Sequence, residues 1–137
     1  MRHFYIFNID NNFKKTTKLN DYFLYKMFDE LHNISSENMC YGLNIYNNIT
    51  KPINKKYIND KLFRCYKNNL HYVKFMNKHM YNNYFNNESS MLTVKNSYIE
   101  LNSTSINPIF FKSLYKYKNL FVCDFENKDY FWIESIA

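Results

Sequence analysis

Residues 3–9 read HFYIFNI, with apolar side chains on both alternating faces of any strand they form. A sheet strand with one wet face alternates apolar and polar residues. One that is apolar on both faces belongs inside a sheet covered on both sides. At 137 residues the chain is one domain by length, with room for one substantial core. The rest of the sequence must therefore supply partner strands and covering helices.

The DNN at 10–12 predicts a turn. Asn20 or Asp21 then caps a helix continuing as YFLYKMFDELH, where Phe23 or Leu24, Met27, Phe28 and Leu31 recur at three- and four-residue spacing. Ser35 and Ser36 offer the cap of a second helix. Met39, Leu43, Tyr46 and Ile49 fall along one of its faces, and Lys51-Pro52 stops it. Gly42 inside this helix costs about 1 kcal/mol relative to alanine, which points either to close approach of another backbone or to a break in the helix. Further on, KKYINDKLFRCYKN fits a helix and LHYVKFM a strand, while Asn82-Asn83 and Asn86-Asn87 mark turns. Residues 91–95 and 98–102 form a hairpin about Asn96-Ser97.

Residues 108–133, PIFFKSLYKYKNLFVCDFENKDYFWI, are dense in aromatics and contain no glycine. Asn107 with Pro108 opens a helix. Phe110 or Phe111, Leu114 and Tyr117 make its stripe, and Asn119 ends it. Residues 120–125 and 130–133 pair as strands around a turn at 126–129. Periodic aromatics of this kind pack a core rather than hold a ligand. The resulting fold class is α/β in the α+β sense, a single domain over residues 1–137 with a mostly antiparallel sheet and helices packed against it.

Composition narrows the function. Asparagine, lysine, tyrosine, phenylalanine and isoleucine dominate, all encoded by AT-rich codons. The net charge of +6 suits an acidic partner. Sixteen of the eighteen basic residues are lysine, however, and arginine stands only at Arg2 and Arg64. Readers of duplex sequence rely on arginine against guanine, so direct DNA binding is the second reading, with lysine–aromatic runs such as YKYKNLF as its form. A single glycine, Gly42, excludes glycine-rich phosphate loops and the nucleophile elbow. His3, His32, His71 and His79 fit no zinc spacing. Asp124 reads as a paired or edge-exposed carboxylate, meeting Arg2 or His3 if the first strand and the strand at 120–125 are neighbours. The expectation is thus no enzyme, no cofactor, no metal and no small-molecule substrate. Cys40, Cys65 and Cys123 read as three reduced, buried thiols of a cytoplasmic protein. No apolar run reaches the ~20 residues that cross a bilayer, and the N-terminus lacks a signal-peptide pattern.

Three segments taken together resemble the sporulation inhibitor of replication family, SirA, of endospore-forming bacteria. They are MRHFYIFNI followed by Phe13, YGLNIYNNITKPI, and PIFFKSL with LFVCDFENKDYFWI. The matching elements are Arg2–Tyr5, Ile49–Ile53, Ile109–Phe111, Asp124–Phe125 and Tyr130–Trp132. The resemblance implies an antiparallel sheet with helices against it. It also implies a non-enzymatic protein that binds the N-terminal domain of the replication initiator DnaA and keeps it from acting at the origin. The family's partner surface would include Phe13. Its second contact position, aromatic elsewhere in the family, is Thr17 here, and Ile45, Tyr46 and Asn48 would lie near the same interface.

Overall fold

The computed structural model describes residues 1–17 and 20–136, and the side chains of all of these except 16, 17, 135 and 136. Seven antiparallel strands form one sheet in the order β2-β3-β4-β5-β1-β6-β7. The doubly apolar stretch is β1 (Arg2–Asn8), which lies between β5 (Ile99–Ser103) and β6 (Leu120–Asp124). Its side chains divide as the sequence requires. Phe4 and Ile6 enter one core, while Phe7 and the following Ile9 enter the other. Every residue of β6 is buried for the same reason.

The first core lies beneath α4 (Lys55–Tyr66) and α5 (Phe110–Leu114). Ile58, Leu62, Tyr66, Phe110, Phe111 and Leu114 meet Phe4, Ile6, Leu101 and Val122 there. The rings of Phe4 and Phe111 meet edge to face at 5.3 Å, as do those of Tyr66 and Phe110 at 5.4 Å. The second core lies beneath α2 (Asp21–His32) and α3 (Met39–Ile49). Phe28 stacks on Phe7 at 4.1 Å and reaches Phe121 at 6.2 Å, so one α2 ring binds two strands. This layer rests on β1, β6 and β7 (Asp129–Trp132). Beyond it, Val73 and Phe75 of β2 (Tyr72–Phe75) are exposed. The strands β3 (Lys78–Asn83) and β4 (Glu88–Val94) complete the meander.

Several expectations change in detail. The DNN is not a free turn: Asp10 caps a helix, α1 (Asn11–Thr17), its carboxylate accepting from the amides of Asn12 and Phe13. Asn20 caps α2 through the Phe23 amide, and Leu24, not Phe23, is buried. In α3 the buried positions are Gly42 and Ile49, whereas Met39 and Leu43 are exposed. Asn82-Asn83 finish β3, and the turn follows at 84–87 with Asn87 in the left-handed region at φ 54. Asn119 also adopts a left-handed φ of 70, but α5 has already ended at Leu114. The amide of Ile109 is satisfied by Glu88 at 3.0 Å rather than by Asn107. Of the three thiols only Cys123 is buried; Cys40 and Cys65 are exposed.

Two polar groups hold the ends of this arrangement. Asp124, on buried β6, accepts from Arg2 Nε at 2.7 Å, and the same guanidinium reaches Asp129 at 3.0 Å. Under α4, buried His79 has both ring nitrogens engaged, with the Tyr72 hydroxyl at 2.6 Å and Asn59 Oδ1 at 2.7 Å. Asn59 in turn donates to Asn77. An imidazole that donates to Asn59 and accepts from Tyr72 is neutral, and burial lowers its pKa from 6.5 to about 4.

Because the unfolded chain takes up that proton at higher pH, stability is complete above about pH 6.5 and declines as pH falls toward 4. Thermal melts should show this loss, and His79→Gln should flatten the dependence in that window. Arg2→Ala leaves a buried carboxylate short of its cation and is expected to cost about 3 kcal/mol. Asp129→Ala removes only a surface pair and should cost less than about 1 kcal/mol in urea unfolding.

Candidate functional site

The end of β1 and the end of α3 are stitched together. Ile9 bridges Thr50, the Asp10 amide donates to the Ile49 carbonyl at 2.7 Å, and the Lys51 amide donates to Asn8 at 2.8 Å. Since Asp10 also caps α1, these bonds fix α1 beside the C-terminal turn of α3. A second anchor comes from Lys14, whose ammonium sits 4.2 Å from the centre of the Trp132 ring and within 3.3 Å of Glu134 and Asn119.

At this corner Phe13, Ile45 and Tyr46 all pack, half-buried, against the second core. Asn48 is exposed on the last turn of α3. Thr17 closes α1, and its side chain lies outside the described residues. The sequence positions named for a partner surface are thus carried by neighbouring elements, but they are not equivalent. Tyr46 points inward. Its hydroxyl donates to the Ser97 carbonyl at 2.5 Å, its ring meets Phe7 and Phe28 at 6.1 and 6.3 Å, and burial pushes its pKa up to about 12. It ties α3 to the β4–β5 turn.

Ile45 instead helps line a mostly apolar groove of about 440 Å³ between α2 and α3, together with Met27, Leu31, Ile34 and Tyr41, with Glu30 and Asn38 also in its wall. Gly42 permits the approach that shapes this layer, since a Cβ there would lie 2.6 Å from Ile34 Cδ1 and 3.4 Å from Leu31 Cδ2. Tyr41 is 69% exposed, with Met39 and Leu43 also open beside it. Sequence reasoning passed over Tyr41 as a site residue. The available signal was an aromatic at the start of YGLNIYNNI that falls outside the helix's core stripe.

Among the described residues, no group of three or more His, Cys, Asp or Glu side chains is placed to hold a metal ion. Nor is any described helix long and apolar enough to cross a membrane.

The family model of the sporulation inhibitor of replication protein SirA matches residues 2–137. The chain belongs to the SirA family. No curated protein matches it at a significant level. The SirA description concerns inhibition of replication in sporulation.

If the Tyr46 hydroxyl is a tether and not a contact, Tyr46→Phe should lose about 1 kcal/mol of stability, the usual net worth of one hydrogen bond. Urea unfolding measures it, and an unchanged midpoint would show that the bond adds nothing.

Proposed function

We propose that this SirA-family protein is a non-enzymatic regulator that binds the N-terminal domain of the replication initiator DnaA and prevents its action at the origin in cells committed to sporulation. The observation that carries the reading is the family match across residues 2–137, taken with an open apolar groove between α2 and α3. An exposed aromatic beside a concave apolar surface is the usual anatomy of an interface hot spot. The α1 corner adds Phe13, with Asn48 and Thr17 at its margin. Phe13 contributes the exposed part of a ring already seated on the core, and Ile45 forms part of the groove wall. Tyr46 acts indirectly by setting the position of α3. Such a site works by occupancy in a reduced, cytoplasmic setting, and needs neither a cofactor nor a small-molecule substrate.

The test is a titration of the full chain against the isolated N-terminal domain of its own host's initiator. One-to-one binding that survives raised salt is expected. Tyr41→Ala, at an exposed position, should leave the thermal midpoint unchanged and weaken binding by about 2 kcal/mol or more. Phe13→Ala should weaken it on the same scale, with a modest loss of stability from its packed half. Unchanged affinity in both variants would mean that the partner docks elsewhere.

A further inference from the structure

The two helical layers differ sharply in charge. Residues 55–67 hold Lys55, Lys56, Lys61, Arg64 and Lys67, residues 112–118 add Lys112, Lys116 and Lys118, and Asp60 is the single acid in either segment. On the opposite layer, α1 carries Lys14 and Lys15 behind its cap Asp10, and residues 21–49 hold only Lys26 against Asp21, Asp29, Glu30 and Glu37, so cations and acids there nearly balance. Codon bias can supply lysine in quantity, but it does not sort lysine between two faces of a sheet. Among the described residues the ion pairs involve Arg2, His3, Lys14 and Lys95, and none of the α4 or α5 cations.

Three of these cations, Lys61, Lys112 and Lys116, line a cleft of about 240 Å³ between α4 and α5. It is lined by Lys61, Cys65, Lys112, Ser113, Tyr115 and Lys116, with no carboxylate in its wall. Lys61 is half-buried there. Two exposed rings flank the lysines. Tyr115 lies in the cleft itself, and Tyr57 sits one helical turn before Lys61, its ring 6.1 Å from that of Tyr117.

We infer that this cleft binds the phosphate backbone of single-stranded DNA, with bases resting on Tyr57 and Tyr115. Ammonium groups without counter-charges suit phosphates, and exposed rings between them suit unpaired bases, whose faces a duplex conceals. A concave wall with lysines on both sides fits a strand better than it fits a flat lipid surface. The cleft lies on the opposite face of the sheet from the α2–α3 groove, so DNA and a protein partner could be held at once. The inference does not depend on the identity of that partner.

Fluorescence anisotropy of the full chain with a labelled oligothymidine of about 20 nucleotides tests this, alongside a duplex of equal length and vesicles of anionic phospholipid. Three neutralised phosphates give a slope of log affinity against log salt near about −2 for a single strand. Affinity should therefore fall roughly 20-fold between about 50 and 200 mM salt. The charge reversal Lys61→Glu, Lys112→Glu, Lys116→Glu should weaken binding at least tenfold. Lys26→Glu, Lys51→Glu, Lys74→Glu makes the same change in net charge elsewhere and should weaken it less than threefold. Should the first triple variant fail to fold, single Lys112→Gln and Lys116→Gln variants, at exposed positions, should each reduce the salt slope by about 0.7. The inference is overturned by absent binding, by equal losses in both triple variants, by duplex bound as tightly as the single strand, or by vesicles bound in place of DNA. None of these outcomes bears on the initiator titration, which contains no DNA.

Discussion

The structure depends on β1 being wanted by two cores at once. Phe4 and Ile6 are fully buried on one side, and Phe7 and Ile9 nearly so on the other. A strand in that position cannot sit at an edge or face water, since either would expose several large side chains at roughly 1.5–3 kcal/mol each. It therefore takes an interior place, with β5 and β6 on its flanks and a helical layer above and below. The two layers follow from that demand, and so does the separation of two chemically different surfaces.

Aromatic rings carry most of the junctions between layers. Phe28 joins α2 to β1 and β6, and Phe111 joins α5 to Phe4 and, at 5.7 Å, to Phe131 of β7. A chain with one glycine also makes its turns differently: Met76, Asn87, Asn119 and Lys128 take positive φ without the freedom glycine would give. Asparagine tolerates that region, whereas Met76 and Lys128 hold it against a steric cost and are fixed by the hairpins on either side.

Much of this was legible in the sequence. The double apolar face of HFYIFNI and the hairpin about Asn96-Ser97 follow from patterns that a single strand or turn can express, whereas the choice of Arg2 over His3 as the partner of Asp124 is settled only by the pairing of β1 with β6. Other features were not local. Met39 and Leu43 look like a core stripe by spacing, yet Gly42 lets Ile34 come so close that α3 turns its Gly42–Ile45–Ile49 side inward and leaves them exposed. Buried thiols were expected because cysteine usually is buried, but Cys40 and Cys65 sit on the outer sides of α3 and α4. The five positions assigned to a partner surface came from family resemblance, and the fold gathers their elements at one corner. Tyr46 then proves to be held by Ser97, while Tyr41, an aromatic off the core stripe, stands out as a site residue only once the groove beside it is formed.

Function in this account is the use of one sheet to keep two faces apart, an apolar groove with acidic surroundings on one and a lysine cleft on the other. The most direct measurement is an amide NMR map of the full chain as the initiator's N-terminal domain is added. Shifts concentrated in α1, in Met27–Ile34 and in Tyr41–Asn48, with α4 and α5 silent, are what the account predicts. Shifts centred on α4 and α5 or on the open strands β2 and β3, with the α2–α3 groove unmoved, would contradict it.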